Sequence, residues 1–109
     1  MEDIYTNRRI AVPLNEQGMS DYWNDKENPD TIAIFDFPPI EVKAFYEKVE
    51  EKINDSFGTM IDCCEPGTIE NANLQSCLDI VLKFESELPV FCKALKLAVQ
   101  CNTCVEIEI

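Results

Sequence analysis

The sequence predicts one α+β domain over residues 1–109, a small mixed or antiparallel sheet of three to four strands packed with about three helices. Three observations predict it. The chain has 109 residues, room for one domain and little more. Hydrophobic residues make up 46% of it, enough to bury a real core. Short β-branched runs alternate with longer segments whose apolar residues recur at helical spacing.

Residues 4–12 read as the first strand, ended by Pro13, with Ile4, Thr6, Ile10 and Val12 on one face and Arg8 interrupting it. Residues 15–30 are polar, hold Gly18, Pro29 and several Asn and Asp, and predict an acidic loop with five acids and one base. Residues 31–37 (Thr-Ile-Ala-Ile-Phe-Asp-Phe) predict a buried strand, closed by Pro38-Pro39, which also suit a first helical turn. Over 40–55, Val42, Phe45, Tyr46, Val49 and Ile53 form one apolar helix face, and Gly58 is the expected stop.

Thr59–Asp62 reads as a short strand leading to a turn at Pro66-Gly67. Thr68 is placed to cap a helix over 69–84, with Glu70 in its first turn and Leu74, Cys77, Leu78, Val81 and Leu82 facing inward. Ser86 is placed to cap the last helix, 87–101, whose two apolar sides predict packing on more than one flank. Asn102 suits its stop. Val105, Ile107 and Ile109 then alternate with Glu106 and Glu108, a strand with one wet face.

The charge balance narrows function. Twenty-one acids against nine bases give −12 and an isoelectric point near 4.2. Such a chain repels phosphate backbones and anionic lipid, so neither nucleic acid nor a membrane is the expected partner. A basic protein is, because opposite fields speed encounter. The plain alternative is that acidity only keeps the domain soluble. Met1–Tyr5 lacks the pattern of a secretory signal, and no apolar stretch approaches membrane-spanning length, so the expected location is the cytoplasm.

Chemistry is thinly represented. Histidine is absent, which removes the commonest general base and zinc ligand. The three glycines are scattered and build no phosphate loop, and no carboxylate pair stands out as a hydrolytic site. No catalytic residue, cofactor or metal is expected.

The six cysteines read as free cytosolic thiols, Cys77, Cys92 and Cys101 falling at helical core positions. Cys101-Asn102-Thr103-Cys104 has the CxxC spacing, but at a helix C-terminus, where the dipole opposes a thiolate. A zinc site would need Cys63 and Cys64 as well, and adjacent cysteines rarely both ligate one tetrahedral ion.

Candidate partner-binding features fall into four groups. The acidic segment carries the only tryptophan, Trp23, beside Tyr22, among Asp21, Asp25, Glu27 and Asp30. Tryptophan and tyrosine are frequent interface anchors, and the acids can meet lysine or arginine. Alternatively, Trp23 folds back as the loop's own anchor on the core. Glu47, Glu50 and Glu51 stand at i, i+3 and i+4 in the C-terminal half of the 40–55 helix, where repulsion and the dipole disfavour them, so a basic partner would account for them. An ordinary solvated face would too.

Asp62 and Glu65 flank Cys63-Cys64 as the third group, and Glu106 and Glu108 on the last strand are a fourth; alternatively these two only blunt an exposed strand edge. Residues 1–62 hold 14 acids and 6 bases against 7 and 3 in residues 63–109, so the binding face is expected mostly in the N-terminal half.

Phe57-Gly58-Thr59-Met60-Ile61-Asp62-Cys63-Cys64-Glu65, two amphipathic helices and the closing Thr103–Ile109 together resemble the small immunity proteins of bacterial polymorphic toxin systems, contact-dependent growth inhibition among them. The resemblance lies in size, acidity and element order. It implies a cytosolic antitoxin that binds one cognate toxin domain, often a nuclease, over or beside its active site. Two other classes compete: an acidic adaptor or regulatory subunit for a basic protein, and a small metal or redox protein using Cys63, Cys64, Cys101 and Cys104.

Overall fold

The computed structural model describes residues 8–61 and 67–108. In chain order these form β1 (Arg8–Pro13), α1 (Glu16–Trp23), β2 (Ile32–Phe37), α2 (Pro39–Lys48), α3 (Glu50–Phe57), β3 (Gly67–Ile69), a 3-10 turn (Asn71–Asn73), α4 (Leu74–Leu82), α5 (Pro89–Cys101) and β4 (Val105–Glu108). The strands make one antiparallel sheet in the order β2–β1–β4–β3, an α+β architecture as predicted. Its radius of gyration, 13.1 Å, is what one body of this length should have.

Register decides which side chains share a face. Arg9 lies opposite Asp36 and Glu108, Ile10 opposite Phe35 and Ile107, and Ala11 opposite Ile34 and Glu106. Ile10, Val12, Phe37, Val105 and Ile107 therefore point to one side, where α2 to α5 cover them in the main core. Phe37, Phe45 and Phe91 meet at its centre, with ring centroids 5.4–6.1 Å apart. Arg9, Ala11, Glu106 and Glu108 point to the other side, where α1 lies.

Several expectations need correction. The 15–30 segment is not all loop, because residues 16–23 are α1. Asn15 caps it by accepting from the Gly18 N–H at 2.8 Å. Its C-terminus closes with Asp25 in the left-handed region (φ 59°), where the Lys26 and Asp25 N–H groups bond the Asp21 and Tyr22 carbonyls. Gly18 is the contact residue: a Cβ there would stand 2.0 Å from the Thr31 carbonyl oxygen and 3.3 Å from Pro13 Cα.

The 40–55 helix is two helices. Phe45, Val49 and Ile53, four residues apart, are all buried. On a straight helix each such step turns about 40° off the stripe, and the break at Val49 (φ −131°) brings Ile53 back to the core. The break also puts Glu50 and Glu51 in the first turn of α3, where the dipole favours carboxylates, which removes the penalty assigned to them. Gly58 ends α3 in the left-handed region, as its position predicted.

Residues 59–61 form no strand. The Asn54 side chain holds them, bonding the Ile61 N–H, the Ile61 carbonyl and the Thr59 hydroxyl at 2.7–3.1 Å. The strand is Gly67–Ile69 instead, so Thr68 pairs with Glu106 rather than capping a helix, and the 69–84 helix shortens to 74–82.

Pro89 begins the last helix after Leu88, and Ser86 does not cap it. Glu41 does, from α2: buried, it accepts from the Phe91 N–H at 2.8 Å. α5 packs against both α4 and the sheet, two flanks as predicted. β4 is an interior strand, and Glu106 on its supposed wet face is 5% exposed.

Candidate protein-binding surface

α1 is short and almost without an apolar face; Gly18 and Asp21 are its buried residues. Asp21 is 5% exposed, and its carboxylate accepts from the Thr31 hydroxyl at 2.7 Å, Gln17 Nε2 at 2.8 Å and Asn28 Nδ2 at 3.5 Å. These bonds, Thr31's foremost, hold its pKa below the usual aspartate value. Asp21 therefore ties α1 to the turn before β2 and is not offered to a partner.

The next two residues bridge the helix and the sheet. The Tyr22 hydroxyl donates to Glu108 Oε2 at 3.0 Å; burial, with Glu108 beside it, pushes the phenol pKa well up and keeps the donor proton in place. Trp23 stands edge-to-face with Tyr22, centroids 6.3 Å apart, and is 67% exposed. It is not an anchor in the core. Arg9 ties the group together, pairing with Glu27 through a short contact and with Glu108 Oε1 at 3.1 Å. The bond to Glu27 raises the Arg9 pKa and lowers that of Glu27.

Two recesses flank Trp23. The larger, about 500 Å³, is bounded by Asp25, Lys26, Glu27 and Glu108 with the two aromatic rings. The smaller, about 290 Å³, lies toward β3 and is bounded by the same rings, Thr68 and Glu106. Glu106 is the unusual member. The Thr68 hydroxyl bonds its carboxyl, yet Oε1 is closed to solvent and has no hydrogen-bond partner. Burial raises the Glu106 pKa, the Thr68 bond lowers it and Glu108 raises it further, the net being upward.

Trp23, Tyr22, Asp25 and Glu27 are thus brought together, and Asp30 is exposed on the turn that follows. Glu106 and Glu108, the group on the last strand, lie beside them. The signal that could have marked them is the pairing of an alternating acidic strand with a neighbouring aromatic pair, which only strand order reveals.

Glu47, Glu50 and Glu51 stand elsewhere, on helices packed against the opposite face of the sheet; Glu47 is 4.0 Å from Lys43, and Glu50 lies near Asn54. Asp62, Glu65, Cys63 and Cys64 lie outside the described residues.

Burial disfavours the thiolate at three of the remaining cysteines. Burial pushes Cys77 up to about 12 and Cys104 up to about 12, the latter with help from Glu106, and Cys92 is raised too. Cys101 and Cys104 are unbonded to each other. Among the described residues no group of three or more Cys, Asp or Glu is placed to hold a metal ion, and no helix is long and apolar enough to cross a membrane.

No family model, curated protein or solved structure matches this chain.

Proposed function

We propose that this chain is a protein-binding inhibitor: an immunity protein that acts in the cytoplasm and neutralises a cognate toxin domain by meeting its basic surface. One observation carries the binding reading. The only tryptophan projects into solvent from a helix end pinned to the sheet, with Asp25, Glu27, Glu106 and Glu108 around it and only Arg9 and Lys26 among them as cations. Leaving a large aromatic ring in water gains the free protein nothing, while burying it in a partner releases its hydrophobic and cation–π energy. The choice of a toxin, and of a nuclease above others, follows from the resemblance carried by residues 57–65 and 103–109. A nuclease cleft is built to attract phosphate, and a surface carrying −12 competes for the same charges.

The test is to purify the chain with the toxin domain encoded beside it and to measure association by surface plasmon resonance alongside nuclease inhibition. The expected result is a one-to-one complex that blocks cleavage, with an association rate falling about tenfold or more between low and moderate salt. Association without salt dependence contradicts the electrostatic part, and no complex contradicts the function.

A further inference from the structure

β2 is the outermost strand beside β1, and among the described residues no strand pairs with its far side. The Leu14 N–H bonds the Thr31 carbonyl at 2.8 Å, one step beyond the Pro13–Ile32 pair and in the same register. Hydrogen-bonded pairs alternate along an antiparallel ladder, so Ala33, Phe35 and Phe37 turn their main-chain groups toward β1, and Ile34 and Asp36 turn theirs outward. The Ile32 carbonyl faces outward with them, while the Ile32 N–H is taken by the Asn28 carbonyl at 2.8 Å.

Proteins usually blunt such an edge with short length, lysine, proline or a bulge. β3, at the other edge, has three residues. β2 has six in unbroken register, with no lysine and no proline among them. Ile34 is 40% exposed and Phe35 half-buried, so apolar surface flanks the open main chain on both faces. A groove of about 520 Å³ lies between residues 32–35 and a shoulder made by Glu27 and Pro29.

We propose that β2 takes up an extended, basic segment of the partner as a further strand of the sheet. The inference rests on the basic-partner reading and adds how the partner is held, through main-chain bonds to Ile34 and Asp36. Strand addition draws affinity from the main chain and specificity from alternate side chains. Charge selects the occupant. Asp36 is the one charged residue of β2, Glu27 borders the groove, and Asp30 is exposed on the turn before the strand. Arg9, opposite Asp36, is paired with Glu27 and Glu108. A second copy of this chain would set −12 against −12 at this edge, whereas a strand with lysine or arginine opposite Asp36 and apolar residues opposite Ile34 and Phe35 is complementary. Glu27 also borders the larger recess beside Trp23, so the edge and the exposed indole form one continuous surface.

The probe is the peptide acetyl-Lys-Val-Val-Val-Lys-amide, whose palindromic sequence suits either strand direction. Amide signals of the isotope-labelled chain are followed by NMR at low salt. The Ile34 and Asp36 amides are expected to shift saturably, with a dissociation constant on the order of 1 mM, and the Ala33 and Phe35 amides, bonded to β1, to shift less. Two changes to the probe should each weaken binding about tenfold or more: methylating the central valine nitrogen, which removes a main-chain donor, and replacing both lysines by glutamate. Ile34→Pro should do the same, because its N–H faces away from β1 and proline is tolerated there, with unchanged β4 signals showing that the sheet is kept.

If the methylated or the glutamate peptide binds as well as the first, if the shifts fall elsewhere on the molecule, or if none appears at about 10 mM peptide, β2 is not the seat of a basic strand and the inference falls. It falls too if the Ile34 and Asp36 amides shift with protein concentration alone, since a second copy then fills the edge. The basic-partner reading survives each of these results and is decided by the complex with the toxin domain.

Discussion

Two buried glutamates show how much a single side chain's setting matters. Glu41 and Glu106 are both almost fully covered, and burial raises both pKa values. Glu41 spends its carboxylate on the N-terminus of α5, where it bonds Phe91. Glu41→Ala would leave that N–H buried and unpaired, and unfolding should become easier by about 1–3 kcal/mol in urea titrations.

Glu106 has less to lose. An acid whose pKa in the fold exceeds its unfolded value adds stability below the unfolded value, and that contribution disappears as pH rises through the folded one. Above that range the burial of Glu106 therefore opposes folding. Glu106→Gln is expected to raise the melting temperature at neutral pH, with the gain closing toward ~pH 4.3, the unperturbed glutamate value. A lower melting temperature at neutral pH contradicts this.

Elements were legible where they announce themselves by apolar spacing and hidden where they do not. β2, the start of α2 and the whole of α5 follow the hydrophobic pattern, and the Gly58 and Asn102 stops stand where their left-handed conformations are needed. α1 hid because its inward residues are Gly18 and Asp21, neither of which enters a hydrophobic periodicity. Its C-terminal stop hid because Asp25, not glycine, takes the left-handed position. The break at Val49 carries no proline or glycine and follows from the phase of Phe45, Val49 and Ile53 against a core whose position only the folded chain sets.

The setting of Trp23 depends on α1 being seated closely, and Gly18 sets that distance. Gly18→Ala would force the Cβ into the Thr31 carbonyl, and a loss of about 1–3 kcal/mol is expected on thermal or urea unfolding. If the helix instead shifts outward, Trp23 emission should change at temperatures below the unfolding transition. A variant with wild-type stability and emission would mean that α1 is not packed as described.

Across the whole molecule the sheet has two unlike sides. On one side α2 to α5 bury the aromatic and aliphatic core; on the other the short α1 leaves Trp23, Asp25 and Glu27 exposed, with Tyr22 and Glu108 half-buried and Glu106 buried beside them. Sequence position foreshadowed part of this division, since the acids do concentrate in the first 62 residues. It left β4 apart from α1; the strand arrives from the other end of the chain through the pairing of Arg9 with Glu108 and of Ala11 with Glu106. It also assigned Glu47 and Glu51 to the same N-terminal half as Trp23, although the sheet lies between them.

That separation allows a direct test of where a basic partner docks. Trp23→Ala with Asp25→Asn alters the α1 side, and Glu47→Gln with Glu51→Gln alters the other, all at exposed positions. Equilibrium affinity of each double variant for the cognate toxin domain is the measurement. A loss of at least about 2 kcal/mol for the first pair, the size of an interface hot spot, with less than about 0.5 kcal/mol for the second, is expected. The reverse ranking, or unchanged affinity in the first pair, would contradict the account.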